Sequence, residues 1–213
     1  NTSQSEQPTE NSEPDPTPTP QPDIRTVNMV AVGNIFPHLP QIEQAHIGGG
    51  KYDFSPSFEF ITSRLKKADL VVADLEAAQA GPDISFIGYK GYTAWPTFNP
   101  PQELSVALRD AGVDIMTLAN NHSYDRGYDG LMITIDHIRN LGMKTFGAYK
   151  TQEERDDILI ENYDGINIAF IGYTFSTNGI PVPEGKEYSV NLVPFFEEYS
   201  ALLKDISTAR ERG

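Results

Sequence analysis

The sequence predicts an α/β protein in which a largely parallel sheet carries one added antiparallel hairpin. From residue 25 onward, short apolar segments alternate with segments of helical spacing. That alternation is typical of consecutive β–α–β units. An Asp-Gly pair at residues 164–165 separates two apolar segments and indicates the hairpin. With 213 residues, the chain can bury a core without a disulfide or a structural metal.

The amino-terminal half begins with two predicted strands joined by a helix. Residues 27–32 are an apolar-rich strand, and residues 69–73 have the pattern of a buried strand. Between them, residues 56–67 predict a helix, because Ser55 is a suitable N-cap residue and Pro56 favours the first helical turn.

The middle of the chain continues the alternation with two helices and two strands. Residues 101–111 predict a helix that ends at Gly112, since glycine is the residue type preferred just after a helix. A strand over 113–119, an amphipathic helix over 128–141 and a short strand over 143–147 follow.

The carboxyl-terminal part predicts a hairpin and a final helix. Residues 158–163 and 166–173 are the two hairpin strands on either side of the Asp-Gly turn. Six later apolar residues recur at helical spacing and predict one apolar stripe that a sheet or helix covers: Phe195, Phe196, Tyr199, Leu202, Leu203 and Ile206. A helix in such a series normally leads into another strand, so we expect the front portion of a longer protein, incomplete at its C-terminus.

The first 24 residues differ in composition from the rest of the chain. They contain six prolines and five acidic residues but no lysine, arginine or aromatic residue. This composition predicts an extended, polyproline-II-like stalk ahead of a domain over 25–213, since it cannot bury apolar area. A stalk of this kind suits an exported protein tethered at the extracellular face of the cell membrane. The alternative is a simple disordered terminus.

Charge and cysteine content exclude several classes of function. The formal net charge is -14, and such an acidic surface repels nucleic acid, whose binding depends on lysine and arginine. The absence of cysteine excludes thiolate zinc sites, iron–sulfur clusters and thiol catalysis. Apolar runs are only a few residues long, far short of the roughly 20 residues that span a bilayer.

Three predicted strands end in polar loops. They are Gly33-Asn34-Ile35-Phe36-Pro37-His38, Ala73-Asp74-Leu75-Glu76 and Ala119-Asn120-Asn121-His122-Ser123-Tyr124-Asp125-Arg126-Gly127. In open α/β sheets, ligands bind beyond the carboxyl ends of the strands. Carboxylates, carboxamides and imidazoles together suit a divalent cation such as manganese, iron, zinc or magnesium, without selecting among them.

Each loop also has a purely structural interpretation. Asn34 suits a turn, and the carboxylates of Asp74 and Glu76 can cap the next segment or remain solvated. The asparagines at 120 and 121 can bond local backbone, and His122 can be a structural histidine. The joint placement of all three loops at successive strand ends favours a shared site.

The same loops resemble motifs of the bacterial capsule synthesis protein family. The resemblance extends to 92–101 and 168–179 and covers roughly residues 26 to 212. It implies a calcineurin-like metallophosphoesterase fold, which is a β-sandwich flanked by helices. It also implies a link to poly-γ-glutamate capsule biosynthesis in an exported, membrane-tethered protein.

The resemblance assigns roles residue by residue. It implies metal ligands at five positions and two catalytic-site residues: Asn34, His38, Asp74, Glu76 and Asn121 as ligands, with His122 as general acid or phosphate-facing donor and Asp125 orienting its loop. The family's Gly-Asp is Gly-Asn here, and a neutral amide should weaken the binding of two adjacent cations. The family's later Gly-His-x-His segment lies beyond the end of this sequence.

Three functions follow as hypotheses. The first is an accessory protein that contacts an anionic capsular polymer or its membrane synthesis complex; the second is a metal-dependent hydrolase of a phosphoester or polymer amide. Without the stalk the net charge is still about -9, so contact with a polyanion needs a cationic patch or bridging metal ions.

The third hypothesis is a binding module in which an aromatic loop stacks on a sugar or a peptide: Tyr89, Tyr92, Trp95 and Phe98. For that loop we expect the alternative, with Trp95 packed in the core.

Overall fold

A computed structural model describes residues 24–193 and 199–213. The described strands are β1 (Met29–Ile35), β2 (His46–Gly48), β3 (Lys51–Tyr52), β4 (Leu70–Leu75), β5 (Ile115–Thr117), β6 (Lys144–Phe146), β7 (Leu159–Tyr163) and β8 (Ile166–Phe170). The described helices are α1 (Leu39–Ala45), α2 (Glu59–Leu65), α3 (Glu103–Ala111), α4 (Gly127–Asn140), α5 (Gln152–Asp156) and α6 (Ser200–Glu211). Most of the predicted stalk, 1–23, lies outside the described residues.

Four strands form a parallel central sheet in the order β1-β4-β5-β6. Ala31 pairs with Val72, which in turn pairs with Ile115, and Met116 pairs with Thr145. Helices connect consecutive strands of this sheet, so the predicted α/β class with a parallel sheet is confirmed. Because all four strands run the same way, their carboxyl ends lie at one edge.

The main hydrophobic core joins this sheet to α3 and α4. Leu108 and Ile135, each at most 1% exposed, belong to one cluster with Val71 and Met116 of the sheet. α3 ends at Gly112, which has a φ of 109°, as the sequence predicted. Apolar residues at helical spacing therefore face the sheet, and the connecting helices position the loops that follow each strand.

A second hydrophobic cluster attaches the β7–β8 hairpin to the central sheet. The prediction that the hairpin adds to the parallel sheet is wrong, because β7 and β8 form their own two-stranded antiparallel sheet. This sheet contacts the central one by packing instead, with Phe170 against Leu70, Ile115 and Phe146. The turn has positive φ angles at both central residues, 49° at 164 and 79° at 165, as the Asp-Gly pair predicted.

Some elements differ from the sequence prediction. The predicted helix 56–67 is a 3-10 turn over Ser55–Phe58 followed by α2, and no side-chain cap bond is made at either start. Ser55 instead donates its backbone N–H to the Asp53 carboxylate at 2.9 Å, so Asp53 starts the turn. Helix α1 and the β2–β3 hairpin were not predicted.

The final helix packs differently from its predicted apolar stripe. Leu203 is 63% exposed, whereas Asp205 and Ala209 are buried. The reason is electrostatic, since Arg155 donates to both carboxylate oxygens of Asp205 at 3.1 and 2.8 Å. Phe195 and Phe196 lie outside the described residues. Within residues 24–193 and 199–213, the structure has no helix long and apolar enough to cross a membrane.

Candidate functional site

The carboxyl ends of β1, β4 and β5 bring the three predicted loops to one edge of the sheet. Asp74 is the penultimate residue of β4, and Glu76 follows the strand directly. Gly33 of β1 lies against this strand end, where a Cβ atom on residue 33 would be only 3.0 Å from the Asp74 Cβ atom. Glycine therefore allows β1 to approach the carboxylate that ends the neighbouring strand.

Asp74 is half-buried, and its pKa is strongly perturbed. Burial raises the pKa of Asp74 to about 6, a hydrogen bond from Asn120 opposes the rise, and the nearby charge of Glu76 adds to it. The Asn120 amide nitrogen donates to the Asp74 carboxylate at 3.0 Å and to the Leu75 carbonyl at 2.8 Å. Asn120 therefore joins the end of β4 to the loop after β5, a role that the sequence analysis missed.

His122 and Asp125 form a buried pair in the same loop. The His122 Nδ1 and Asp125 Oδ2 atoms are 2.7 Å apart, and the two residues are 9% and 1% exposed. The same carboxylate oxygen accepts the Phe98 backbone N–H at 2.5 Å. The Asn120 side-chain oxygen accepts the His122 backbone N–H at 3.1 Å. These bonds hold the imidazole ring through its Nδ1 atom and the His122 backbone.

Phe98 lies between the two histidines that the sequence analysis singled out. Its ring centroid is 4.7 Å from that of His122 and 5.5 Å from that of His38. Phe36 also packs on Phe98, at 5.1 Å. His38, although exposed, therefore lies on the same side of the sheet edge as the His122–Asp125 pair.

The remaining predicted ligands differ in their surroundings. The Asn121 amide donates to the side-chain oxygen of Asn178 at 3.2 Å, and the Asn178 amide lies 3.4 Å from His122 Nδ1. Asn34 has an exposed side chain near the end of β1. Asn120 thus links Asp74 to the His122 backbone through hydrogen bonds, whereas Asn178, from a distant segment, bonds Asn121 and lies beside the His122 ring.

A cleft of about 570 Å³ opens beside the His122–Asp125 pair. Asn121 and Asn178 line it together with Trp95, which is 73% exposed. The expectation that Trp95 packs in the core is therefore wrong. Phe98, 2% exposed, takes the core position of this aromatic loop instead, because it fills the space between the histidine rings.

Arg126 anchors the same aromatic loop to the histidine loop. It is 1% exposed, donates to the Asp125 carbonyl at 2.8 Å and also donates to the Thr93 hydroxyl. The charge next to Asp125 in the sequence could have indicated this role. Asn178 lies in the segment 168–179 that resembles the family, but an Asn-Gly pair is also typical of an ordinary turn.

The donor set of the site fits a divalent cation only in part. Asp74 and Glu76 supply a carboxylate pair, but no three or more histidine, aspartate or glutamate side chains in the described part of the chain form a group that could hold a metal. The ligand roles of Asn34, His38, Asp74, Glu76 and Asn121 stay predictions.

The sequence pattern of the family described as "Bacterial capsule synthesis protein PGA_cap" matches residues 28–213. The chain belongs to this family. The resemblance drawn from the strand-end loops is thereby confirmed. The chain is also 25% identical over 189 residues to the "Capsule biosynthesis protein CapA" of Bacillus anthracis. That match covers 87% of this chain but 43% of the relative, so the chain spans less than half of the relative's length.

Proposed function

We propose that this member of the capsule synthesis family acts in the biosynthesis, retention or export of a poly-γ-glutamate capsular polymer. The observation that carries the proposal is the buried His122–Asp125 pair, which lines a cleft and lies in a loop that Asn120 joins to Asp74. The name of the Bacillus anthracis relative supports the capsule role, and the polymer's identity rests on the family resemblance.

The proposed scaffold is of the calcineurin-like metallophosphoesterase type. In support, the β7–β8 sheet packs against the central sheet through Phe170, and α3 and α4 belong to the separate, main core. Two stacked sheets with helices outside is the arrangement of a flanked β-sandwich. The proposal places the chain at the extracellular face of the membrane, tethered through the predicted stalk.

The His122–Asp125 pair supports proton transfer at the cleft. Asp125 Oδ2 lies 2.7 Å from Nδ1 and can accept its proton, which favours the tautomer whose Nε2 can accept a proton. Because Asp125 is held by the Phe98 N–H as well, the ring is oriented before any ligand binds.

Contact with an anionic polymer needs a cationic patch or a bridging cation. The protein carries a net charge of -14, and the polymer is a polycarboxylate, so the two repel each other. We propose that Asp74 and Glu76 supply the carboxylates for a bridging divalent cation such as manganese, iron, zinc or magnesium, with Asn34, His38 and Asn121 as its further predicted ligands. Such a cation would supply positive charge to polymer carboxylates.

The polymer experiment measures retention of fluorescent poly-γ-glutamate on the immobilised protein with manganese or with EDTA. We expect retention with manganese and its loss with EDTA. The double variant Asp74→Asn/Glu76→Gln should lose the manganese effect, whereas Asp83→Asn, an exposed loop change, should keep it. Retention that neither the cation nor EDTA alters would contradict the proposal.

The second candidate is a hydrolase, favoured by the oriented imidazole of His122. The neutral Asn34 weakens this candidate, because an aspartate occurs at the matching family position. Hydrolysis of bis(p-nitrophenyl) phosphate with added manganese should fall at least about 100-fold in His122→Ala. His46→Ala, at an exposed histidine that contacts Tyr52, is the matched control. Equal rates in His122→Ala and the unmodified protein would remove His122 from the chemistry.

A further inference from the structure

Trp95 is an exposed aromatic side chain at the wall of a formed cleft. It is the single tryptophan of the sequence and is 73% exposed, and Ile87 on the same cleft is 62% exposed. A large exposed aromatic surface beside a concave site is typical of ligand binding rather than of folding. Neither residue contributes to the His122–Asp125 pair, so the proposed chemistry does not explain why they are exposed at the cleft.

Two carboxamides lie on the same cleft as Trp95. Asn121 and Asn178 are 3.2 Å apart, nitrogen to oxygen, and each keeps further donor and acceptor capacity. Asn178 has a φ of 53° and an exposed side chain, which places its amide where a ligand can reach it. Neutral groups that donate and accept together match hydroxyl-rich ligands.

The charge of the cleft does not favour a polyanion. The described lining residues include no lysine or arginine. Asp125 is the one acidic residue among them. Asp125 is 1% exposed and already binds His122 and the Phe98 N–H, so it offers little charge to a ligand. Among the described lining residues only His122 can become cationic, and it is paired with Asp125, so the carboxylates of a polyanion would meet no net positive charge here.

We infer that this cleft binds an uncharged hexopyranose unit of a glycan. The C–H face of the ring stacks on Trp95, and its hydroxyls bond to the amides of Asn121 and Asn178. This binding goes beyond the proposed function, since that proposal places the anionic polymer at the acidic residues Asp74 and Glu76. A peptide is the competing ligand, and the titrations of Trp95 fluorescence and quenching distinguish the two.

The single tryptophan makes binding directly observable. Titrating the protein with the N-acetylglucosamine tetramer and with maltotetraose, in EDTA, should shift Trp95 emission to shorter wavelength. At least one of the two sugars should bind with a dissociation constant on the order of 1 mM or tighter. Saturation with that sugar should reduce acrylamide quenching of Trp95 about twofold. No change with either sugar at about tenfold that concentration would overturn the inference, as would protection by a γ-linked glutamate oligomer alone.

Variants test which side chains bind the sugar. By calorimetry, Trp95→Ala should weaken binding about tenfold, and Asn178→Gly, which fits the positive φ, should weaken it about fivefold. Phe60→Ala is the control, because Phe60 is 91% exposed on α2 and does not line the cleft. Circular dichroism checks folding. Equal weakening by Phe60→Ala, or unchanged binding in a folded Trp95→Ala, would overturn the inference.

The sugar assay is independent of the proposed function. It uses EDTA and has no catalytic readout, so sugar binding can hold while polymer retention or hydrolysis fails. The reverse result, cation-dependent polymer retention without protection of Trp95 by a sugar, would overturn this inference and leave the polymer proposal intact.

Discussion

Asp125 organises the candidate site more than any other single residue. It accepts hydrogen bonds from two loops, one through His122 and one through the Phe98 N–H, while its second oxygen is buried without a partner in the described structure. This carboxylate couples the aromatic loop to the histidine loop, so its removal should reduce both stability and function.

Asp125→Ala is expected to destabilise the protein by about 2–4 kcal/mol. Its loss leaves the Phe98 N–H and the His122 Nδ1 buried without acceptors, and each unsatisfied group costs roughly 1–3 kcal/mol. Urea unfolding measures the change. Asp83→Ala, at an exposed loop residue, serves as control and should stay within about 0.5 kcal/mol. Equal effects of both variants would contradict the role given to Asp125.

Asp74 should make stability depend on pH in the direction opposite to an ordinary ion-paired carboxylate. Its pKa is raised from 3.8 to about 6, chiefly by burial, so the folded state holds the proton more tightly than the unfolded state. This contribution to stability is complete below pH 3.8 and is lost as the pH rises through about 6.

Asp74→Asn removes the titration while keeping an oxygen that accepts the Asn120 N–H. We expect the variant to be more stable than the unmodified protein by about 1–2 kcal/mol at neutral pH, allowing for solvent screening, with the difference vanishing near pH 4. Urea unfolding in EDTA from pH 4 to 8 measures it. A constant difference across that range would show that Asp74 does not titrate as described.

At the scale of elements, close packing after β6 shapes the loop that carries the site. Gly147 has a φ of 82°, and a Cβ atom there would lie 2.5 Å from the Ala119 Cβ atom and 3.1 Å from the Ala119 backbone nitrogen. Ala119 immediately precedes Asn120, so this glycine sets how closely the end of β6 approaches the site loop.

Gly147→Ala is expected to destabilise the protein by about 3 kcal/mol and to disturb His122. The clash with Ala119 adds to the backbone strain of a positive φ. Gly142→Ala is a matched control. Gly142 has a φ of 87°, but among the described residues no atom beyond its chain neighbours lies within 4 Å of an added Cβ, so the change should cost about 1 kcal/mol. Urea unfolding and the His122 imidazole NMR signal separate the two effects. Equal losses would argue against close packing.

Helix α6 is held by a buried polar group rather than by an apolar stripe. Asp205 binds Arg155 and accepts the Tyr173 hydroxyl at 2.7 Å. Burial raises the pKa of the Tyr173 hydroxyl, and its bond to Asp205 adds to the rise, so this donor stays protonated at neutral pH.

Asp205→Ala should cost about 2–3 kcal/mol, because it leaves the largely buried Arg155 without its main acceptor. Asp156→Ala is the control on the same arginine. That pair is 4.0 Å apart with Asp156 65% exposed, so its loss should stay within about 0.5 kcal/mol. Urea unfolding compares the two variants, and a larger loss for Asp156→Ala would refute the assignment.

At the scale of the whole molecule, the acidic surface opposes compactness. The net charge of -14 repels itself in the folded state, and salt screens that repulsion. We expect the thermal midpoint to rise by a few degrees between 10 mM and 300 mM NaCl at pH 7.5 in EDTA. Scanning calorimetry measures it. A fall with salt would mean that ion pairs such as Lys150–Asp136 outweigh the net charge.

Much of the fold was predictable because its signals are local. The alternation of strands and helices, the end of α3 at Gly112 and the Asp164-Gly165 turn all follow from spacing and backbone preference within a few residues. The prediction of an apolar stripe on α6 was wrong for the converse reason. Apolar spacing along the chain does not show that Asp205 forms an ion pair with Arg155 of another helix.

The amino-acid sequence by itself determined the α/β class, the polar loops at the strand ends and the membership of the family, since each depends on residues close together along the chain. Only the tertiary structure decided that Phe98 separates two histidines, that Asn178 reaches Asn121 across 57 positions and that Trp95 faces a cleft. These contacts join segments far apart in sequence, and the packing of the sheet and its connections alone brings such segments together.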